Sequence, residues 1–392
     1  MINPYTSYIL GFAVSLLVYQ FGWSEIYPRL TYQLLLFLAA TFVAHSVLAR
    51  TWNKIRQAPT EKVAAPKISP ILVTVLIYLL WTADFVNEGG IPLVKTLLNI
   101  PYDYKLFGVP SLHVFTVTFA SFYTVYLFHL LLKTRDRKII VLYFINLFAA
   151  ILIYSRSMLF FNLSSCVFLY LLSVEKIPYK KMALASPVVI LLFYFFGVVG
   201  TKRVSFESQV SYNPTLFLDN GRATTQFRES AIPKEFFWPY FYISSPLANL
   251  QVNITTYYVR PITMTRILEY INNELLFESF SKRVNKLFGI DRENENVIKD
   301  PFNVSTVYSR SYSYLGWIGM TITALVVVLV PLLYLKLIRD NPYHSIAVAI
   351  LCTTYLFLSY DNTIRLMALG FQLVYPILFP MAEKMIVKTQ RS

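Results

Sequence analysis

Charge is scarce in this sequence: 14% of its 392 residues are Asp, Glu, Lys or Arg and 56% are hydrophobic, where soluble domains carry roughly a quarter charged residues. That balance excludes an ordinary water-soluble domain and implies lipid as the solvent. Cysteine is nearly absent. Cys166 and Cys352 both fall in apolar runs, so they offer neither a disulfide framework nor a CxxC metal site and are expected to be packing residues. Of the few histidines, His45, His129 and His344 make no HExxH-like pattern. There is no Walker A sequence, which argues against ATP-driven transport. No Asp-x-Asp pair stands in any segment expected outside the membrane, which disfavours metal-dependent glycosyl transfer. Acidic residues are outnumbered by basic ones, giving a net charge of +14. The Lys and Arg gather at the ends of apolar runs, and no basic stripe interleaved with aromatics marks a nucleic-acid surface. Neither a metal nor a cofactor is expected, nor is nucleic acid as a partner. No internal repeat is visible.

What is present is a series of apolar stretches near spanning length, at 5–22, 30–49, 69–85, 110–132, 139–155, 158–174, 182–200, 314–335, 343–360 and 366–382. The first lacks a basic leader and a small-residue cleavage site, so it is read as a retained helix. The fold class expected is all-α, a polytopic membrane bundle of about ten transmembrane helices. Five basic clusters fall on alternate connections when both termini are cytoplasmic. They are Arg50, Lys54, Arg56, Lys62 and Lys67; Lys133, Arg135, Arg137 and Lys138; Lys176, Lys180 and Lys181; Lys336 and Arg339; and Lys384, Lys388 and Arg391. The same count puts one long segment, Thr201 to Ser313, on the outer side between helices 7 and 8. Three parts follow: a bundle over 1–200, an outer loop or cap over 201–313, and C-terminal helices over 314–392. The aromatic run Phe236 to Tyr242 is too rich in rings for a disordered linker. Ile267, Leu268, Ile271, Leu275, Leu276 and Phe280 recur at helical spacing and predict one amphipathic helix between Thr265 and Leu287. Asp291 to Asp300 reads as a solvated acidic turn.

Cations at an outer membrane edge serve no topological purpose and so stand as functional candidates, with headgroup anchoring or an ion pair as the simpler role. Arg156 sits in the tight turn Tyr154-Ser155-Arg156-Ser157, and Gly200-Thr201-Lys202-Arg203 places two more cations at the end of the seventh helix. Converging, they would suit a diphosphate, because guanidinium pairs with phosphate oxygens bidentately. His113, after Phe107-Gly108-Val109-Pro110-Ser111-Leu112, could serve as base toward a sugar hydroxyl, with Asp84, Glu88 and Asp103 as alternatives. Arg222, Arg228, Arg260 and Arg310 in the long segment read singly as solvated surface charges. Sequons at Asn162, Asn253 and Asn303 are common by chance.

These stretches resemble the bacterial oligosaccharide repeat-unit polymerases, the O-antigen polymerase family. The resemblance rests on the Gly-Val-Pro run ending at His113, the Ser-Arg-Ser turn at Arg156 and the Gly-x-x-Arg of Gly200 and Arg203. It extends to Tyr240 through Asn249, to Asn303 through Tyr308, and to Tyr314-Leu315-Gly316-Trp317-Ile318-Gly319. Where the family often has an acidic residue before the final Gly, this chain has Ser313 and Tyr314. The resemblance implies metal-independent glycosyl transfer between undecaprenyl-diphosphate-linked oligosaccharides at the periplasmic face of the inner membrane, with membrane lipid and a chain-length regulator protein as further partners. It implies Arg156 and Arg203, then Arg310, as stabilisers of the departing diphosphate and His113 as base. Tyr240, Tyr242, Asn249, Thr306 and Tyr308 would line the sugar site, or simply pack the cap onto the bundle. Two rivals share the topology. An O-antigen ligase would favour a His in the long outer segment, and Thr201 to Ser313 has none. A lipid-linked oligosaccharide flippase would carry charges deep along its helices, whereas these crowd one mouth.

Overall fold

The computed structural model describes residues 2–55, 68–98, 100, 107–176, 179–207, 210–300 and 302–380. Arg56, Lys62, Lys67, Asp103, Lys105, Lys384, Lys388 and Arg391 lie outside the described residues. The chain is 75% helical, without strands among the described residues. With no water to satisfy exposed backbone, a helix is the structure an apolar run adopts in lipid. The N-terminal helices are α1 (Pro4–Tyr19), α2 (Tyr32–Ile55), α3 (Pro70–Glu88), the short α4 (Pro92–Leu97), α5 (Leu112–Thr134), α6 (Arg137–Leu152), α7 (Arg156–Ser173) and α8 (Tyr179–Glu207). Then come α9 (Thr215–Asn220), α10 (Thr225–Glu229), α11 (Phe237–Thr256), α12 (Met264–Tyr270) and α13 (Glu278–Phe288). The last are α14 (Ser309–Ile338), α15 (His344–Leu356) and α16 (Met367–Gly370), the last of which continues in an apolar helical stretch to Pro380.

All ten expected apolar stretches fall on helices. Six are long and apolar enough to cross a membrane: Tyr32–Trp52, Pro70–Glu88, Leu112–Thr134, Arg156–Ser173, Ala183–Ser205 and Ser309–Ile338. The chain is therefore a multi-pass membrane protein. Pro4–Tyr19, His344–Ser359 and Met367–Pro380 are apolar but shorter.

The bundle is organised around α15, whose residues Ile346 to Tyr355 are all buried. Small side chains at Ala347, Ala349, Cys352 and Thr353 let neighbours approach closely, as lipid-embedded helices require. At Gly11 of α1 a Cβ would lie 2.1 Å from the Leu356 carbonyl oxygen, so only glycine permits this crossing of α1 and α15. By contrast, Leu184, Val188, Ile190, Leu191 and Phe195 of α8 are exposed, as on a helix facing lipid.

In the segment expected as an outer loop or cap, Leu247, Ala248 and Leu250 join the core of the bundle, and Phe237, Trp238, Tyr240 and Phe241 form a second buried cluster. Its aromatic run begins α11, in which Phe237, Trp238, Tyr240, Phe241, Leu247, Ala248 and Leu250 are buried. This helix packs against α1, α8 and α14. The expected single amphipathic helix is broken into α12, a π-helical turn (Ile271–Leu275) and α13. Polar groups lie inside and apolar ones outside along much of it, although Lys282, Arg283 and Lys286 of α13 are exposed as well. Arg266, Asn272, Asn273, Glu274 and Ser281 are buried, whereas Leu268, Ile271, Leu276, Phe280, Leu287 and Phe288 are exposed. Where the outside is apolar, polar groups find their partners inside and apolar ones face out. A nitroxide at Phe288→Cys should therefore collide more with oxygen than with a water-soluble nickel chelate, and the reverse ranking would place this face in water. The native thiols Cys166 and Cys352 are buried and would stay unlabelled.

Candidate functional site

One large cavity, of about 1920 Å³, opens among the facing ends of the helices. It is bounded by the end of α8, the starts of α5, α7 and α11, and the end of α15, with α1 and α4 beside them. Its walls are largely apolar, with Leu10, Val14, Leu97, Phe160, Phe193 and Phe196 among them. Arg156, Lys202, Arg203 and His113 line it as well, and no Asp or Glu does among the described residues. Arg156, Lys202 and Arg203 in a mostly apolar lining that holds no described carboxylate make a site whose field selects anions.

Local sequence explains how each is placed. Ser155 caps α7, its hydroxyl accepting from the Met158 N–H at 3.3 Å, and Arg156 is the first residue of that helix. The positive end of the α7 dipole therefore points where the guanidinium does. The Arg156 guanidinium stands 4.8 Å from the Phe196 ring centre and 5.9 Å from that of Tyr242. Its Nη1 is buried without a hydrogen-bond partner, and it forms no ion pair among the described residues. Such a cation is held by ring faces and keeps hydrogen-bonding capacity that the described protein groups do not use. On α8, a Cβ at Gly200 would come within 2.7 Å of the Trp238 ring, and the Trp238 indole donates to Thr201 Oγ1 at 3.0 Å. The glycine thus lets α8 close on α11, and Lys202 and Arg203 follow at the cavity wall.

His113 is fixed from three sides. Its Nδ1 lies 2.9 Å from Oδ2 of Asp84, which is fully buried near the end of α3. The ring is edge-on to Trp81 and Phe107. Gly108 adopts φ +87°, and any Cβ there would meet the imidazole at 2.7 Å. Of the alternative bases, Asp84 is thus the partner of His113, and Glu88 pairs with Lys95 at 3.1 Å.

Of the expected sugar-site residues, Tyr242 alone lines the cavity. The others make packing contacts away from the cavity wall, the simpler of the two roles expected for them. Tyr240 is buried among Trp23, Tyr27 and Phe237. Asn249 Nδ2 donates to the carbonyls of Phe302 and Val304, and its Oδ1 accepts from the Ile298 N–H. One helical turn on, Asn253 Nδ2 donates to the Ser309 carbonyl and its Oδ1 accepts from Asn296 N–H. These two amides supply the partners that the irregular backbone before α14 lacks. Thr306 is buried at the foot of α14, and Tyr308 is fully buried with its hydroxyl 2.6 Å from that of Tyr8. Gly316 takes φ +61° at a kink in α14, and Gly319 packs on the Ser311 carbonyl.

Arg310 does not line the cavity, and its guanidinium donates to Glu295 at 2.8 Å. Three other cations of the long segment, read singly as surface charges, are paired: Arg228 with Asp219 at 2.7 Å, Arg222 with Glu25 at 3.8 Å and Arg260 with Glu293 at 2.5 Å. The turn Asp291 to Asp300 is not simply solvated, since the side chains of Glu293 and Glu295 are only 8% and 9% exposed. Glu295, Glu274 and Asp361 form a buried acidic group with Arg292, Arg310 and Arg365 around it, one residue beyond Tyr360 of the cavity wall. Burial pushes the Glu274 carboxyl up to about 7 despite Arg292 and Arg365 nearby. Burial, and then the neighbouring Glu274 and Asp361, likewise push Glu295 up to about 7. Sequence reading missed this group, whose one signal is the polar run Asn272-Asn273-Glu274 between Ile271 and Leu275.

Comparison with known protein families, curated proteins and solved structures gives no match to this chain. Chemically, the cavity can hold a doubly charged phosphate group against Arg156, Lys202 and Arg203, with an imidazole available to a neighbouring hydroxyl.

Proposed function

We propose that this chain is a repeat-unit polymerase of the bacterial inner membrane. In this reading it spans about ten times, keeps both termini in the cytoplasm and opens its cavity to the periplasm. It joins undecaprenyl-diphosphate-linked oligosaccharides. The observation that carries the reading is the cavity whose only charged lining side chains, among those described, are Arg156, Lys202 and Arg203, beside His113. In the step, the acceptor hydroxyl passes its proton to an imidazole nitrogen and its oxygen attacks the anomeric carbon of the donor. The bond from that carbon to the diphosphate oxygen breaks, and the electron pair leaves on the lipid diphosphate. Arginines already in place stabilise that charge without reorganising, which is how fixed donors in a water-poor site lower a barrier.

Deletion of the gene tests the class. Polymerase loss leaves single repeat units displayed on lipid A core; ligase loss would strand polymer on its carrier, and flippase loss would leave no displayed sugar. An unchanged ladder of lengths ends the proposal. An alkaline phosphatase fusion after Asn220 should be active, and an inactive one would put the site on the wrong side.

A further inference from the structure

We propose that Asp84 is a positioning residue that keeps the proton of His113 on Nδ1 and so presents a bare Nε2 to the cavity as the base. The inference rests on the transferase reading and extends it to the residue that arms the base. Asp84 is buried in the last part of α3, where an unpartnered carboxylate would be costly. Its two oxygens have separate duties. Oδ1 accepts from the Val109 N–H at 2.9 Å and Oδ2 faces His113 Nδ1 at 2.9 Å. An ionised carboxylate can only accept, so Nδ1 must be the donor, and in a neutral ring Nε2 is then an acceptor. Among the described residues no Lys or Arg pairs with Asp84, and His113 makes no second hydrogen bond.

The turn that sets this geometry is built with backbone that few residues accept. Gly108 has φ +87° and Ser111, though not glycine, has φ +68°. A left-handed non-glycine residue brings its Cβ too close to the backbone, and it persists where surroundings fix it. Here Arg283 of α13 donates to the Ser111 hydroxyl at 3.1 Å, and the imidazole fills the place of the missing Gly108 side chain. His113 also lines the cavity wall.

Asp84→Asn gives a definite expectation. The Val109 N–H claims the single amide oxygen, which turns the NH2 group toward Nδ1. That nitrogen becomes an acceptor, and the proton moves to Nε2. The full-length protein, labelled with nitrogen-15 histidine in lipid nanodiscs, should show His113 with Nδ1 protonated and Nε2 bare. D84N should show the reverse. Its turnover should fall on the order of 10²–10⁴-fold, the usual contribution of proton transfer by a positioned side chain. His113→Ala should lose as much, and the double variant no more. A wild-type ring protonated on Nε2 overturns the proposal, as does D84N with the ring reversed and turnover unchanged. Lost turnover with the Nδ1 proton retained would make Asp84 a packing group, which also overturns it. The wild-type spectrum needs neither a stable variant nor a substrate, so failure here is distinguishable from failure of the transferase reading in the deletion test.

Discussion

Arg156→Ala is expected to leave a folded, inserted protein whose polymerisation rate falls roughly 10²–10³-fold, the usual loss when one preorganised donor to a developing oxyanion is removed. Folding should survive, because Arg156 has no carboxylate partner among the described residues and its removal strands no buried charge. What is lost structurally is contact with Phe196 and Tyr242, worth about 0.5–2 kcal/mol. Arg156→Lys keeps the charge but not the planar fork, and should recover only part of the rate. The measurement is turnover of lipid-linked oligosaccharide by the reconstituted protein, with kcat and KM separated. Loss confined to kcat marks an interaction made in the transition state, whereas loss confined to KM marks ground-state binding of the diphosphate. Wild-type turnover in both variants would remove the guanidinium from the mechanism.

Arg156 is also among the most legible residues in the sequence, for a physical reason. Helix ends in a membrane protein are fixed by where apolar runs stop, so a cation in a turn between two such runs has its depth set by the sequence alone. The same logic puts His113 and Gly200 to Arg203 at helix ends, and the fold brings all three to one cavity. Residues inside the long segment carry no such constraint. The aromatic run that opens at Phe236 reads equally as a cap or a core, and the choice depends on α1, α8 and α14, which are distant in sequence. Asn249 and Tyr308 look like sugar ligands by residue type, yet each satisfies buried backbone or a buried hydroxyl far along the chain. Periodicity locates the apolar positions between Thr265 and Leu287 and suggests a helix on the bundle or interface, but does not choose between the two faces. The break at the π-turn has no apolar signal at all.

Arg310 stands away from the cavity wall, and its removal should act on stability and not on the cavity. Arg310→Ala takes the guanidinium from a carboxyl that is 9% exposed and already crowded by Glu274 and Asp361. Breaking a buried pair from one side costs about 3–5 kcal/mol, or very roughly 5–10 °C in melting temperature for a chain of this size. The loss should depend on pH. Glu295 titrates at about 7 in the folded protein against an ordinary 4.5, so the native state holds the extra proton between those values. Its contribution favours the fold in full below about pH 4.5 and fades as pH rises through about 7. With Arg310 gone, the carboxyl holds its proton to still higher pH, so the deficit should be larger at pH 8, where the intact pair is ionised, than at pH 5, where Glu295 is neutral with or without the arginine. Adding Glu295→Gln to Arg310→Ala should restore most of the melting temperature at pH 8 and flatten its pH dependence, because the neutral amide needs no cation. A catalytic Arg310 behaves otherwise: the single variant would melt near wild type at both pH values, lose turnover, and gain nothing from the second substitution.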